Sequence, residues 1–230
     1  MKKRALLIAS TKRANEDCVP FINDITQMKK FLMSKNGGSW KESEIISILN
    51  PTAQELFSLY TNTGEDFRFS YFSGHGCIIN DNQYILINNC LIGTSNLTYK
   101  VKREVIIFDC CRHEYSYQKL AKNYIIKESP NLDHKTEIIY NYNSLISTHE
   151  GTIIFYTALK GKSAFATSSA SYFTCFFIKI LEQLKCLKID RPLSIIAFFK
   201  LISLAMKKTG GTQTITMVSN NSCNYPFYMC

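Results

Sequence analysis

The run Val105-Ile106-Ile107-Phe108-Asp109-Cys110-Cys111-Arg112 constrains this chain most. Its apolar, largely β-branched half reads as a strand with no solvated face. It then stops at an acid and two thiols. Such a strand belongs inside a sheet covered on both sides. Its polar end falls at the rim, where open α/β folds hold their sites. Upstream, Tyr71-Phe72-Ser73-Gly74-His75-Gly76 has the same form, an aromatic strand ending in a histidine between two glycines. One strand end offers a thiol and the other an imidazole. These are the parts of a cysteine–histidine dyad, far apart in sequence and adjacent in a fold.

The remaining segments supply that sheet. Arg4 to Ala9 is a short apolar strand, Glu44 to Leu49 a second, and Phe67 to Phe72 the one that delivers His75. Phe21, Ile22, Ile25, Met28 and Leu32 recur at helical spacing, which predicts a helix over Pro20 to Met33, with proline suited to its first turn. Thr52-Ala53-Gln54-Glu55 is a capping box that opens a helix reaching about Tyr60. Cys77 to Ile79 and Tyr84 to Ile87 flank Asn80-Asp81-Asn82-Gln83, a hairpin signal. After the central strand, Arg112 to His149 is polar, with a helical tendency around Gln118 to Ile126. Thr152 to Ala158 is a further strand. Phe173, Phe176, Phe177, Ile180, Leu181 and Leu184 make the strongest helical stripe in the chain. Leu193 to Met206 is another helix, capped by Gly210-Gly211, and Thr214 to Val218 alternates as a last strand. Strands alternating with helices predict an α/β fold with a mostly parallel sheet and helices on both faces.

Composition narrows the function classes. The chain has 230 residues and a formal net charge of +9. Its basic residues are scattered rather than gathered into an aromatic-interleaved motif, so no nucleic-acid partner is expected. The richest apolar stretch, Leu193 to Met206, is shorter than a membrane span and contains Lys200, so no membrane association is expected. Nine cysteines without framework spacing indicate free thiols in a reducing compartment, read as cytoplasmic. No Gly-rich phosphate loop is present. A zinc site from His75, Cys77, Cys110, Cys111 and His113 is the chemical rival. Of these, only Cys110 and His113 show the close spacing of knuckle ligands.

The residues alone do not choose between Cys110 and Cys111, since strand alternation sends the two thiols to opposite faces. A resemblance does. Ser73-Gly74-His75-Gly76 followed by Asp109-Cys110-Cys111-Arg112 resembles the caspase and metacaspase clan of cysteine peptidases. The hairpin after the histidine and Phe173-Thr174 at the head of a later helix fit the same pattern. The step from His75 to Cys111 is shorter than the roughly 50 residues of the caspase signature.

The resemblance implies a caspase-like fold with a six-stranded sheet over 1–230. Residues 1–115 correspond to the large-subunit part, 116–150 to a connector that is a candidate for self-cleavage, and 151–230 to the small-subunit part. It implies Cys111 as nucleophile, His75 as general base, and the amides of Gly76 and Cys111 as oxyanion donors. Asp109 stands where caspases carry glutamine in the substrate pocket. This is the metacaspase choice, and it implies a basic residue before the scissile bond. Metacaspases are expected to add a second acid after the fifth strand, but Ser163 to Ser169 has none. Phe165 is then the residue available to line the pocket. The resemblance implies a protein or peptide substrate, with a gasdermin-like or other death or defence effector as one candidate. Nothing in the residues suggests a nucleotide or redox cofactor, so none is expected, and calcium dependence is left open. A catalytically silent caspase-like adaptor is the alternative function.

Overall fold

The computed structural model describes residues 1–13, 16–17, 19–61, 64–114, 125–126, 146, 150–187, 192–209, 213–220 and 223–229. The first half runs β1 (Lys3–Ser10), a short pair β2 (Lys12–Arg13) and β3 (Glu16–Asp17), α1 (Pro20–Met33), β4 (Ile45–Leu49) and α2 (Ala53–Tyr60). It continues with β5 (Phe67–Gly74), β6 (Gly76–Ile79), β7 (Asn82–Ile87), β8 (Cys90–Gly93) and β9 (Arg103–Asp109). The second half contains β10 (Ile125–Ile126), β11 (Gly151–Tyr156), α3 (Tyr172–Cys186), β12 (Leu193–Ser194), α4 (Ile195–Lys208), β13 (Thr216–Ser219) and β14 (Pro226–Tyr228).

Six strands form the central sheet in the order β13-β11-β9-β5-β1-β4. All neighbours are parallel except β13, which closes one edge antiparallel to β11. Strand alternation divides the core in two. Ala5, Leu7 and Ala9 of β1 face α1, α3 and α4, whereas Leu6 and Ile8 face α2 and the hairpin strands. Among the described residues the second face is therefore covered by one helix and by the small sheet β10-β8-β7-β6, rather than by helices alone. On the first face Phe31, Phe177, Phe198, Phe199 and Phe227 pack ring against ring. Edge-to-face and tilted arrangements of this kind add to the stabilisation from burial.

The helices begin where their caps dictate. The Thr52 hydroxyl accepts from the Glu55 amide while the Glu55 carboxylate accepts from the Thr52 amide, closing the capping box of α2. Ser194 caps α4 by accepting from the Ala197 amide, so Leu193 and Ser194 lie outside the helix and pair with β14 instead. β14 carries no alternation legible in the sequence. It nevertheless supplies buried Phe227 and Tyr228, and Tyr225 just before it donates its hydroxyl to the Gly151 carbonyl.

The hairpin turn is tighter than the four residues read from the sequence. Only Asn80 and Asp81 form it, both with positive φ as a two-residue hairpin loop requires. Gln83 is thereby placed inside β7. Ile125 and Ile126, expected in a helical stretch, pair with β8 as a strand. The rest of the 116–150 connector, apart from Ile146 and Glu150, lies outside the described residues, as do its expected self-cleavage site and the Gly210-Gly211 cap.

Candidate active site at the strand ends

β5 and β9 are neighbours, and their register sets Ser73 opposite Asp109. Both chains leave the sheet just beyond this pair, at its carboxyl rim. Phe69 and Tyr71 on one strand, and Val105 and Ile107 on the other, face α1 and α3. Continuing the alternation places His75 and Cys111 on that same side. The contacts agree. The His75 ring meets Phe21 of α1 edge-on at 5.3 Å, and the Cys111 thiol donates to the Ala164 carbonyl at 3.4 Å, in the loop between β11 and α3. Both side chains are half-buried.

Cys110 goes the other way. It is 1% exposed, in the core with Ile106 and Phe108. Burial first, then the charges of Cys111 and Asp109, push its thiol well above the ordinary range. A thiol held neutral and enclosed is a poor nucleophile.

Gly76 explains how the two strand ends approach. A Cβ there would lie 2.6 Å from the Cys110 sulfur and 2.9 Å from the carbonyl oxygens of Cys111 and Tyr84. The glycine is required by backbone proximity and not by an unusual φ. Arg112 is an anchor. Its guanidinium lies 4.1 Å over the Tyr156 ring and donates to the Ala158 carbonyl and the Thr216 hydroxyl. Its backbone pairs with Gly161 and Lys162. His113, the remaining candidate zinc ligand after it, contacts the Ser163 hydroxyl at 2.5 Å. Among the described residues no group of three or more His, Cys, Asp or Glu side chains could hold a metal ion.

Asp109 is 2% exposed and accepts hydrogen bonds from Tyr71, Thr157 and Ser171. A second carboxylate stands close by, and it is one that sequence reasoning missed. Asp24 of α1 is fully buried and accepts from the Ser73 hydroxyl at 2.6 Å and the Ser171 amide at 2.9 Å. Ser171 caps α3, so the helix N-terminus points at both acids and favours their charge. Burial opposes it. Desolvation, then the neighbouring Asp24 charge, pushes Asp109 up to about 7, and desolvation raises Asp24 as well. The signal for Asp24 was present: a carboxylate inside the apolar stripe between Phe21 and Met28. A carboxylate near Asp109 is thus supplied by the first helix, whereas the segment after the fifth sheet strand has none. In that segment Phe165 is 50% exposed, with its amide donating to Gln213 and its carbonyl accepting from Tyr172.

This sheet order, with its covering layers and small hairpin sheet, defines a caspase-like α/β fold. The family model described as the caspase domain matches residues 2–228. The chain belongs to that family and is a cysteine protease, a hydrolase acting on proteins. The crystal structure of caspase-1 from Spodoptera frugiperda is similar in fold, with a TM-score of 0.62 at 11% identity over 100% of this chain and 93% of that one. No curated protein matches the sequence. Among the described residues no helix is long and apolar enough to cross a membrane.

Proposed function

We propose that the chain cleaves peptide bonds by a Cys111–His75 dyad, after a basic residue of its substrate. His75 takes the proton of Cys111, whose sulfur attacks the scissile carbonyl. The oxyanion accepts from the amides of Gly76 and Cys111. His75 returns the proton to the leaving amine, and water then hydrolyses the thioester. The observation that carries this reading is the packing of Gly76 against Cys110 and Cys111, which the register of Ser73 with Asp109 makes possible.

The Asp109–Asp24 pair supports a basic side chain before the scissile bond. A guanidinium or ammonium group entering there would favour the ionised form of both acids and donate charge-assisted hydrogen bonds to them, Arg more strongly than Lys. A second reading is favoured by one observation. Both carboxylates are enclosed and already accept from hydroxyl groups, as a purely structural pair would. Specificity would then fall to the exposed Phe165 wall. Fluorogenic peptides ending in Arg, Lys, Leu and Asp, assayed with and without calcium and repeated with Asp109→Asn, decide the matter. Preference for Arg lost in Asp109→Asn supports the first reading. Preference for Leu that is unchanged by the substitution supports the second, and preference for Asp contradicts both.

The biological setting extends the same proposal. The described cysteines, from Cys77 to Cys223, are free thiols, in keeping with a reducing compartment such as the cytoplasm. A death or defence effector of gasdermin-like type is a fitting class of substrate by family analogy alone.

A further inference from the structure

We infer that Gln83 is a positioning residue for Cys111: its side-chain amide clamps the Cys111 carbonyl against the Arg112 guanidinium and so sets the attitude of the thiol. This rests on Cys111 being the nucleophile, as proposed above. β9 ends at Asp109, so no sheet ladder holds the two residues that follow. The segment is instead gripped piece by piece. The Arg112 amide donates to the Lys162 carbonyl, and the Gly161 amide donates to the Arg112 carbonyl. The Ile78 amide donates to the His113 carbonyl. The Cys111 carbonyl is held by a side chain, with Gln83 Nε2 donating to it at 3.2 Å.

Gln83 is 7% exposed and uses both ends of its amide. Nε2 also donates to the Tyr84 carbonyl at 3.0 Å and lies 3.7 Å from the Cys110 sulfur. Oε1 accepts from Arg112 Nε at 3.0 Å. Chemistry fixes this orientation. Guanidinium is donor-only and must face the oxygen, while two carbonyls must face the nitrogen. Arg112 is itself immobilised over Tyr156 and by Thr216 of β13. Gln83 therefore ties the hairpin, the candidate nucleophile and the far edge of the sheet into one unit.

Without the Nε2 donor, the Cys111 carbonyl would be left unpaired at a half-buried position. Rotating the Cys111–Arg112 peptide would relieve this, at the cost of turning the thiol and its amide away from their working directions. Gln83 approaches on the Cys110 side of the segment, away from Asp109, Asp24 and Phe165. It does not reach the proposed substrate pocket, so its loss acts on the chemical step and not on binding.

The test compares Gln83→Glu and Gln83→Met with the wild type on an Arg-ending fluorogenic peptide. Labelling of Cys111 by an electrophilic peptide ketone and thermal unfolding are measured in parallel. Gln83→Glu is nearly isosteric and keeps the acceptor for Arg112 while removing the donor, so it guards against a Met variant that fails to fold. The expected result is a kcat loss of about 10- to 100-fold in Gln83→Glu, with KM within about threefold and a matching loss in labelling rate. A Gln83→Glu kcat within twofold of wild type, or a rise in KM at unchanged kcat, overturns the positioning role while leaving the dyad standing. A wild type that neither turns over nor labels at Cys111 overturns both.

Discussion

Ser73 and Asp109 face each other across two parallel strands, and both bind the cap of the helix Tyr172–Cys186: Ser73 through Asp24, which accepts from the Ser171 amide, and Asp109 through the Ser171 hydroxyl. Two residues beyond this pair stand His75 and Cys111. The same register therefore aligns the proposed dyad and the two carboxylates proposed to read the substrate. On the proposed assignment, catalysis and specificity share one structural origin.

Gly76→Ala is expected to lower kcat/KM by about 100-fold or more, since displacements near 1 Å at a reacting centre have effects of that size. The new methyl group would meet the Cys111 and Tyr84 carbonyl oxygens as well as the Cys110 sulfur. Adding Cys110→Gly removes only the sulfur contact, so steady-state kinetics of the double variant should show little recovery.

The preference for Arg over Leu is expected to grow as pH rises from about 5.5 to 8. Asp109 is pushed up to about 7 by burial and by the charge of Asp24, so it gains its charge only across that range. The ratio of kcat/KM values on the two peptides cancels the titration of the dyad. In Asp109→Asn the ratio should lie about 10- to 100-fold lower at pH 8 and vary little with pH, as expected for losing one charged hydrogen-bond partner. The sign for stability is the reverse. A carboxyl raised above its unfolded value holds its proton longer in the folded state, so folding loses stability as pH climbs from about 4 to 7.

Much of this was legible because strand ends announce themselves. An apolar β-branched run stopping at Asp109 and an aromatic run stopping before His75 marked the rim, and the alternation of side chains put Cys110 and Cys111 on opposite faces without choosing between them. What was not legible depended on partners distant in sequence. Asp24 stands out within the apolar stripe of α1, but the groups it meets, Ser73 and Ser171, are known only once α1 is packed over β5. Gln83 reads as a turn residue until the positive φ angles of Asn80 and Asp81 shorten the hairpin loop and pull it into a strand. The strand Pro226–Tyr228 has no periodic pattern of its own, and it exists because Phe227 fills a space among phenylalanines from four other elements.

Stability is expected to depend on a charged cluster at the opposite end of the sheet. Arg68 is fully buried, donates to Glu65 and to the Tyr60 and Thr61 carbonyls, and lies 3.9 Å from Glu104. Glu104 is pushed up to about 7, chiefly by burial. Arg68→Met leaves the enclosed Glu104 without that cation, while Glu65 keeps Arg4 at 4.0 Å, and denaturant unfolding near pH 7.5 should show a loss of about 3–5 kcal/mol. Lowering the pH to about 5.5 should return part of that loss, because protonated carboxyls no longer need the partner.

The identity of the nucleophile is the central claim, and covalent labelling tests it most directly. Wild type, Cys110→Ala, Cys111→Ala and His75→Ala are treated with an Arg-ending electrophilic peptide ketone. The labelled residue is located by peptide mass spectrometry, and turnover is measured in parallel. Wild type and Cys110→Ala should both be modified at Cys111 and remain active. Cys111→Ala should take no label and have no turnover, and His75→Ala should lose about 100-fold or more. Label on Cys110, or a Cys110→Ala variant that is inactive while Cys111→Ala still turns over, would contradict the account.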